Sequence, residues 1–281
     1  MKLANRFVYP TMTKIISRLT RPLTPVLILL GGSATAFAQA QPKPPTQAKP
    51  PAPTVDPNAD RVLRQMSDFL GSRPQFTVHS ESTIEVVLSS GEKIQYELSA
   101  DAAVKRPDRL RATRKGDLHQ ELFYDGKSLT LYNKKENVYA TVPAPSTIER
   151  ALDMARNELD MDAPGGDLLY RNLYASLMED VISGTYLGTT VIDGVPCFHL
   201  AYRGNDTDWQ IWVAQGDKPI PKKYVITSKR LAGAPEFTVL TSNWDLSPDL
   251  DEKQFVFVPP KGSQGVDFIK IPREPTSGAR P

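Results

Sequence analysis

The residue types most often used for catalysis and metal binding are few and scattered in this chain. His79, His119 and His199 fall in separate stretches, without the short spacings of metal ligands. The chain has no G-x-S-x-G nucleophile motif and no H-E-x-x-H metal motif. Cys197 is the only cysteine and has no cationic run beside it, so we interpret it as packing filler rather than a nucleophile. We therefore predict no catalytic residue, no metal and no cofactor, and we expect that the protein is not an enzyme.

Charged clusters offer little more chemistry. They are the carboxylate pairs Asp206-x-Asp208 and Asp249-x-Asp251, and the basic residues Arg109, Arg111, Arg114 and Lys115. Calcium needs more oxygen ligands than either pair supplies, so we predict turn or capping roles for the acids. The basic residues are interpreted as an edge strand kept charged against aggregation, with docking of anionic head groups as the alternative.

The middle of the chain, from Ser146 to Ile182, is predicted to be a helical hairpin between two blocks of strands. Ser146 and Glu149 have the spacing of an S-x-x-E capping box. Apolar residues recur at helical spacing, first Ile148, Ala151, Leu152, Ala155 and Leu159, and later Leu169, Leu173, Leu177 and Val181. Pro164-Gly165-Gly166 breaks the run, and a second helix is expected to begin near Asp167. Short helices with one apolar face must pack on a larger apolar surface.

Strand signals flank this hairpin on both sides. From Phe76 to Leu98 most apolar residues hold even positions, which predicts a long β-hairpin with one buried and one solvated face. Further strands are expected at residues 109–114, 118–124, 129–133, 138–142, 185–192, 196–202, 209–214, 222–229, 237–244 and 255–258. A short helix is expected at residues 60–70. The predicted class is α+β, a curved antiparallel sheet of about 11 strands that forms a half-open β-barrel capped by short helices.

The first 38 residues have the pattern of a secretory signal peptide. A basic start without acids leads to an apolar run at residues 26–30 and then to Ala36-Phe37-Ala38, a small-x-small cleavage site. The apolar run is too short, and too diluted by glycine, for a membrane anchor. We predict cleavage before Gln39 and secretion across the inner membrane. The mature protein is expected to be soluble in the periplasm, with no stable membrane insertion.

Composition divides the remainder. Residues 39–58 are rich in proline and poor in apolar side chains, so we interpret them as a flexible linker, with recognition by a proline-binding partner as the alternative. Residues 59–270 are expected to form one domain; from Pro259 onward we expect a tail, of which 271–281 lies outside the domain. The signal carries five of the 34 basic residues and no acid, which leaves the mature chain slightly acidic. We therefore expect no nucleic-acid partner.

Three motifs in the first strand block carry a family resemblance. Lys105-Arg106-Pro107 begins a strand, Asp125-Gly126-Lys127 forms a hairpin turn, and Tyr132-Asn133 lies in the aromatic strand that follows. In this order they resemble the core of the bacterial LolA/LolB-type lipoprotein carriers. Together with Asp193-Gly194-Val195-Pro196 and the segment 243–248, they make the chain similar to predicted periplasmic proteins of unknown function that share that fold.

The resemblance implies a concave apolar face beneath a helical lid. In the carriers, the acyl chains of a lipoprotein enter between sheet and lid. Their K-R-P arginine contacts lid backbone, so Arg106 inherits the role of a lid latch, with carbonyls near residues 164–167 as its expected partners. The resemblance thus implies a non-catalytic binding or transport protein.

Apolar positions on strands and helices are the candidate ligand-binding residues. They are Leu122, Tyr124, Leu129, Leu131, Leu152, Leu169, Leu173, Leu177, Phe198, Leu200, Ile211, Val213 and Leu240. A packed core is the alternative, because residue type does not distinguish core from cavity. Met154, Met161 and Met178 favour an adaptable surface. We expect a monomer that holds lipid or an acylated, lipoprotein-like protein; the alternative is an interaction or sensor module that binds an envelope protein.

Overall fold

The computed structural model describes residues 54–116, 119–159, 161 and 165–268. The predicted signal peptide, most of the linker and the segment 271–281 lie outside these residues. The helices are α1 (Pro57–Gly71), α2 (Ile148–Leu159) and α3 (Leu173–Met178), with 3₁₀ turns at Gly166–Leu169 and Glu252–Phe255. The strands are β1 (Gln75–Val87), β2 (Lys93–Lys105), β3 (Arg109–Lys115), β4 (Gln120–Tyr124), β5 (Ser128–Asn133), β6 (Val138–Pro143), β7 (Val181–Ile192), β8 (Val195–Gly204), β9 (Thr207–Ala214), β10 (Pro221–Ser228), β11 (Glu236–Asp245) and β12 (Gln264–Gly265).

All twelve strands belong to one sheet, in the order β12-β6-β5-β4-β3-β2-β1-β11-β10-β9-β8-β7. Two meanders, β1 to β6 and β7 to β11, meet where β1 pairs with β11; there Ser80 lies opposite Thr241. Among these strands of the described residues, β12 alone runs parallel to its neighbour. The sheet is curved and does not close, since β12 and β7 end it on opposite sides. The predicted α+β fold and half-open barrel are confirmed.

The helices cover one face of the sheet, which we call the inner face, and divide its core in two. The first cluster joins α2 to β1–β5 through residues such as Phe76, Leu110 and Tyr124. The second cluster joins α1 and α3 to β8–β11 through residues such as Leu63 and Leu200. In β1 the even-numbered apolar side chains face the helices, as predicted, and Phe76 is buried on the inner face. Burial of such side chains is the main force that holds helices to sheet.

The chain after β11 wraps around the β6 side of the sheet, and the predictions of a strand at 255–258 and of a tail from Pro259 are wrong. Phe257 packs on the outer face, and its ring centroid lies 5.3, 5.5 and 5.0 Å from those of Phe123, Tyr132 and Tyr139. Further along, Val266 N donates to Tyr139 O at 2.8 Å beside β12. Three adjacent outer-face aromatic residues therefore hold this segment against the sheet.

The helical hairpin differs from its prediction at two points. Thr147, not Ser146, caps α2, since Thr147 Oγ1 accepts a hydrogen bond from Arg150 N at 3.3 Å. The second helix is split into the 3₁₀ turn and α3. Between them Tyr170 is extended, with φ −67° and ψ 146°, and Asn172 caps α3 by accepting from Ala175 N.

Candidate functional site

Helix α2 and the described residues that return from it run antiparallel and form a unit that we call the lid (residues 148–159, 161 and 165–171). Three contacts join its arms: Glu149 Oε1 accepts from Arg171 N (2.8 Å), Asp153 Oδ1 from Tyr170 Oη (2.6 Å) and Asp167 Oδ1 from Arg156 Nη2 (2.8 Å). Because the contacts recur along α2, they hold the two arms as one unit. The tip lies over β11, where a methyl group on Gly165 would be 3.5 Å from Val239 Cγ1 and 3.6 Å from Phe237 Cε1.

Both arms of the lid are rooted at the turn between β2 and β3. At the start of α2, Ile148 N donates to Pro107 O at 3.0 Å. On the returning arm, Arg106 Nη1 donates to Leu169 O at 2.9 Å and Arg106 Nη2 to Tyr170 O at 3.2 Å. Arg106 therefore contacts lid carbonyls, but they are not those of the preceding loop where they were predicted. The contact lies at the root of the lid rather than at its tip.

Arg106 is a buried charge with incomplete pairing. Its side chain is 6% exposed, and its nearest carboxylate oxygen, Glu149 Oε1, is 3.7 Å from Nη1. The Nε atom has no hydrogen-bond partner among the described residues. Burial lowers the pKa of Arg106, although a guanidinium stays protonated in proteins. A buried charge is tolerated only when it has hydrogen-bonding or ionic partners, so the two lid carbonyls stabilise the buried guanidinium of Arg106. The planar, forked geometry of the guanidinium lets it donate to both carbonyls at once.

The structure divides the candidate ligand-binding residues between the two clusters. Leu122, Tyr124, Leu129, Leu152 and Leu169 lie with α2, and Leu173, Leu177, Phe198, Leu200, Ile211 and Val213 lie with α1 and α3. Leu131 is buried opposite Leu122 on the neighbouring strand. Leu122, Leu169 and Phe198 are partly buried and the others are buried. Packing against helices is what a core requires, so a ligand-binding role for these residues stays a prediction and needs the helices that cover them to move.

Leu240 lies on the outer face, contrary to its assignment to the concave face. Its neighbour Val239 packs into the second cluster, and side chains alternate along a strand. Leu240 therefore faces away from the helices, opposite Lys223 and Glu81 on the flanking strands, and it is 36% exposed.

An uncovered part of the inner face was missed by sequence reasoning. We call it the hairpin strip: Ile84, Val86, Leu88, Ile94, Tyr96 and Leu98. Ile84 packs against the second cluster and pairs with Tyr96, yet Tyr96 is 51%, Leu88 41% and Ile94 38% exposed. Strand length was the available signal. β1 and β2 have 13 residues each, against seven and five in β3 and β4, so the far half of the hairpin extends beyond its neighbours.

The outer face carries the remaining candidates for chemistry. His199 stacks on Trp212, with ring centroids 4.1 Å apart, and Cys197 is fully buried, which raises the pKa of its thiol. His119 lines a surface cleft of about 470 Å³. Strand β3 lies between β2 and β4, so its basic residues do not mark an edge; Arg111 pairs with Glu121 at 2.9 Å. Within the described residues no three His, Cys, Asp or Glu side chains form a metal-binding group.

His79 has a carboxylate within hydrogen-bond distance of each of its ring nitrogens. It lines an outer-face cleft of about 350 Å³, with Nδ1 2.6 Å from Asp101 Oδ1 and Nε2 2.8 Å from Glu81 Oε1. The hydrogen bond to Asp101, and next that to Glu81, raises the pKa of His79 above its ordinary value of 6.5. Asp101 is also paired with Lys115 at 3.3 Å.

We expect stability to fall slightly as the pH rises through the raised pKa of His79. The imidazolium binds both carboxylates, so its contribution is complete below pH 6.5 and is lost at higher pH. For such partly exposed pairs the change is at most about 1 kcal/mol. Urea unfolding at several pH values measures it. His79→Gln should remove the pH dependence, and the same slope in both proteins would contradict the assignment.

The sequence matches a known protein family over most of its length. A model of the family "Predicted periplasmic protein (DUF2092)" matches residues 59–269, which include the whole sheet. The chain belongs to the DUF2092 family. The resemblance to predicted periplasmic proteins of this fold is thereby confirmed, and the periplasm is the location that the family description gives. None of the helices in the described part of this DUF2092 protein is long and apolar enough to cross a bilayer.

Other comparisons concern the fold alone. No curated protein matches the chain. Among solved structures, it is similar to an uncharacterized conserved protein from Thermus thermophilus (13% identity, TM-score 0.45, 75% of this chain and 99% of that one) and to the Mycobacterium tuberculosis lipoprotein LppX (14%, 0.44, 70% and 100%). A LolA superfamily protein from Nitrosomonas europaea also matches (14%, 0.35, 71% and 97%).

Proposed function

We propose that this DUF2092 protein binds the acyl chain of a lipid or of an acylated protein between its lid and the inner face, and that it catalyses no reaction. The hairpin strip is the observation that carries the proposal. Its first residue, Ile84, pairs with Phe237 of β11, and Phe237 is also a contact of the lid tip. The strip therefore begins where the lid ends, and it continues the apolar interior into solvent.

The dimensions of the strip suit a linear apolar ligand. It is two strands wide, and adjacent strands lie about 4.8 Å apart. Residues 84–88 and 94–98 each extend it by four residue steps, or about 13 Å. Aligned, exposed apolar side chains are uncommon on soluble proteins unless they contact a ligand, a membrane or another protein. A single acyl chain could lie along such a strip and enter beneath the lid.

Entry requires the lid tip to lift while its roots hold. Helix α2 packs on the first cluster, whereas Leu168 on the returning arm is buried in the second cluster, so lifting of the lid tip disturbs the edge of the second cluster as well. Met154 and Met161 are partly buried against the first cluster, and methionine adapts to irregular partners. In this proposal Arg106 serves as a root clamp, which keeps the two arms on the sheet as the tip moves.

A partner protein is the second candidate ligand of the hairpin strip. Tyr96 is the most exposed residue of the strip, and tyrosine is enriched in protein interfaces. In that case the DUF2092 protein would be an envelope interaction or sensor module, and the interior would stay closed. Whether lipid accompanies the purified protein distinguishes the two functions.

Tyr96→Lys is expected to weaken acyl-chain binding without weakening the fold. The side chain is half exposed, so lysine keeps its charge in water while it interrupts the apolar strip. Native mass spectrometry and lipid extraction of protein purified from cells would show less bound lipid. Titration with a fluorescent fatty acid measures the affinity of each variant. We expect the affinity to fall several-fold, because burial of the tyrosine ring against an acyl chain contributes about 1–2 kcal/mol.

Val258→Lys is the matched control, since Val258 is 76% exposed and lies outside the hairpin strip. It should bind the fatty acid as the unchanged protein does. Equal binding by both variants would mean that the strip is not part of the site. An unchanged protein that neither carries lipid nor binds the probe would contradict the proposed function itself and favour a protein partner.

A further inference from the structure

Arg114 points toward the inner face, unlike the other basic residues of β3. This strand pairs with β2 and with β4 without a break in register, so side chains alternate regularly along it. Leu110 packs into the first cluster, and Arg114, four residues further on, lies on the same side. Arg111 has the opposite parity and pairs with Glu121 on the outer face. Arg114 is therefore an inward-pointing cation.

The surroundings of Arg114 on the inner face are small, polar and partly open. At the other inner positions of β1 to β4, all of which the structure describes, no side chain is charged. Ala100 lies opposite Arg114 on β2, Ser80 lies beyond Ala100 on β1, and Gln120 lies opposite Arg114 on β4. Ala100 and Ser80 are partly exposed. This part of the inner face therefore offers a ligand polar contacts and one positive charge.

A diagonal line of apolar side chains leads from Arg114 to the lid tip. Leu98 of the hairpin strip lies two residues from Ala100 and is thus a diagonal neighbour of Arg114. Ile84 is in turn a diagonal neighbour of Leu98, and it lies opposite Phe237, which the lid tip contacts. Diagonal neighbours are about 7–8 Å apart and opposite residues about 5 Å, so the line is roughly 20 Å long. An acyl chain that starts at the charge can follow this line to the lid.

We propose that the ligand is an anionic amphiphile, whose carboxylate or phosphate group binds the guanidinium of Arg114 while its acyl chain follows the line to Phe237. The inference rests on the proposed function and adds the charge of the head group to it. A guanidinium donates two parallel hydrogen bonds to a carboxylate or a phosphate. A neutral alcohol accepts weaker bonds, and a free anion lacks the apolar contacts, so charge and chain are required together.

Two fluorescent probes of equal chain length, a fatty acid and the corresponding fatty alcohol, test the inference at neutral pH and one ionic strength. The unchanged protein should bind the acid about tenfold more tightly, because hydrogen bonds to charged groups are stronger than those between neutral groups. Arg114→Gln should bind the acid more weakly and the alcohol as before. Arg114→Lys keeps the charge and should retain part of the preference.

Arg111→Gln is the matched control, since it removes a cation from the same strand on the outer face. It should keep the whole preference for the acid. Ala100→Glu provides a second variant, in which Arg114 stays in place. The new carboxylate lies opposite Arg114, and opposite charges across strands are favourable, so the fold should be retained. This variant should bind the alcohol and lose the preference, because its carboxylate occupies the guanidinium and repels the acid.

Equal affinities of the unchanged protein for acid and alcohol would overturn the inference and leave the proposed function standing, because an acyl chain would still bind. A preference that persists in Arg114→Gln, or one that Arg111→Gln also removes, would overturn the role of Arg114. Displacement of the acid by an equal concentration of acetate would show that the chain is not needed, which overturns the amphiphile. Binding of neither probe would overturn the proposed function together with the inference.

Discussion

Leu173→Asp is expected to remove most or all of the stability of the protein. Leu173 opens α3 and is fully buried in the second cluster. A carboxylate at this position would have no partner, and an unpaired buried charge costs several kcal/mol. The whole free energy of unfolding of a domain is only about 5–15 kcal/mol. Urea unfolding followed by circular dichroism should show a much lower midpoint, or no folded baseline.

Ala175→Asp is the control, because Ala175 lies in the same short helix and is exposed. It should unfold near the midpoint of the unchanged protein. Equal midpoints for the two variants would mean that the second cluster is not a core. Leu152→Asp gives the complementary comparison in the lid, where the side chain is 7% exposed. If the lid lifts, this variant should stay folded yet lose the fatty acid.

Arg106→Leu is expected to loosen the lid while most of the sheet keeps its stability. The variant leaves the carbonyls of Leu169 and Tyr170 without their donors, and each charge-assisted hydrogen bond is worth about 1.5–3 kcal/mol when shielded from water. Removal of a partly unpaired buried charge offsets some of this loss. Hydrogen exchange at residues 148–159 and 166–171 should accelerate by on the order of tenfold or more.

Arg106→Lys separates the shape of the donor from its charge. An ammonium is a compact point charge and does not reproduce the forked geometry of guanidinium. The lid amides of Arg106→Lys should therefore exchange at a rate between those of the unchanged protein and Arg106→Leu. Amides of β8–β10, which the second cluster covers, provide the internal reference and should exchange as before. If lid exchange is the same in Arg106→Leu and in the unchanged protein, the root clamp has no energetic role.

The sequence was sufficient for the strands and for much of the inner face, because alternation in β1 and the Asp-Gly turns are local signals. It was insufficient in β11, where Val239 and Leu240 are adjacent and both apolar. Residue type alone cannot decide whether Val239 or Leu240 points toward the inner face. The register with Lys223 and Glu81 decides it, and register is a property of the folded sheet.

Two parts of the candidate site were beyond local reasoning for different reasons. Arg106 was found through its motif, but its partners depend on where the returning arm of the lid turns, and Tyr170 sets this by its extended backbone and its hydrogen bond to Asp153. The hairpin strip has the same apolar pattern as the buried half of β1. Its exposure depends on how far the neighbouring strands reach, which no residue in the strip encodes.

The pairing of β1 with β11 governs how the chain can reach this fold. Within each meander, strands are neighbours in sequence, so they can pair after closing small loops. Ser80 and Thr241 come from nearly opposite ends of the domain, and their pairing closes a loop that contains all of the lid. Such contacts raise the contact order and slow folding, since loop entropy is lost before the contact compensates for it. We therefore expect the pairing of β1 with β11 to be the slow step of folding, although these two strands lie in the middle of the sheet.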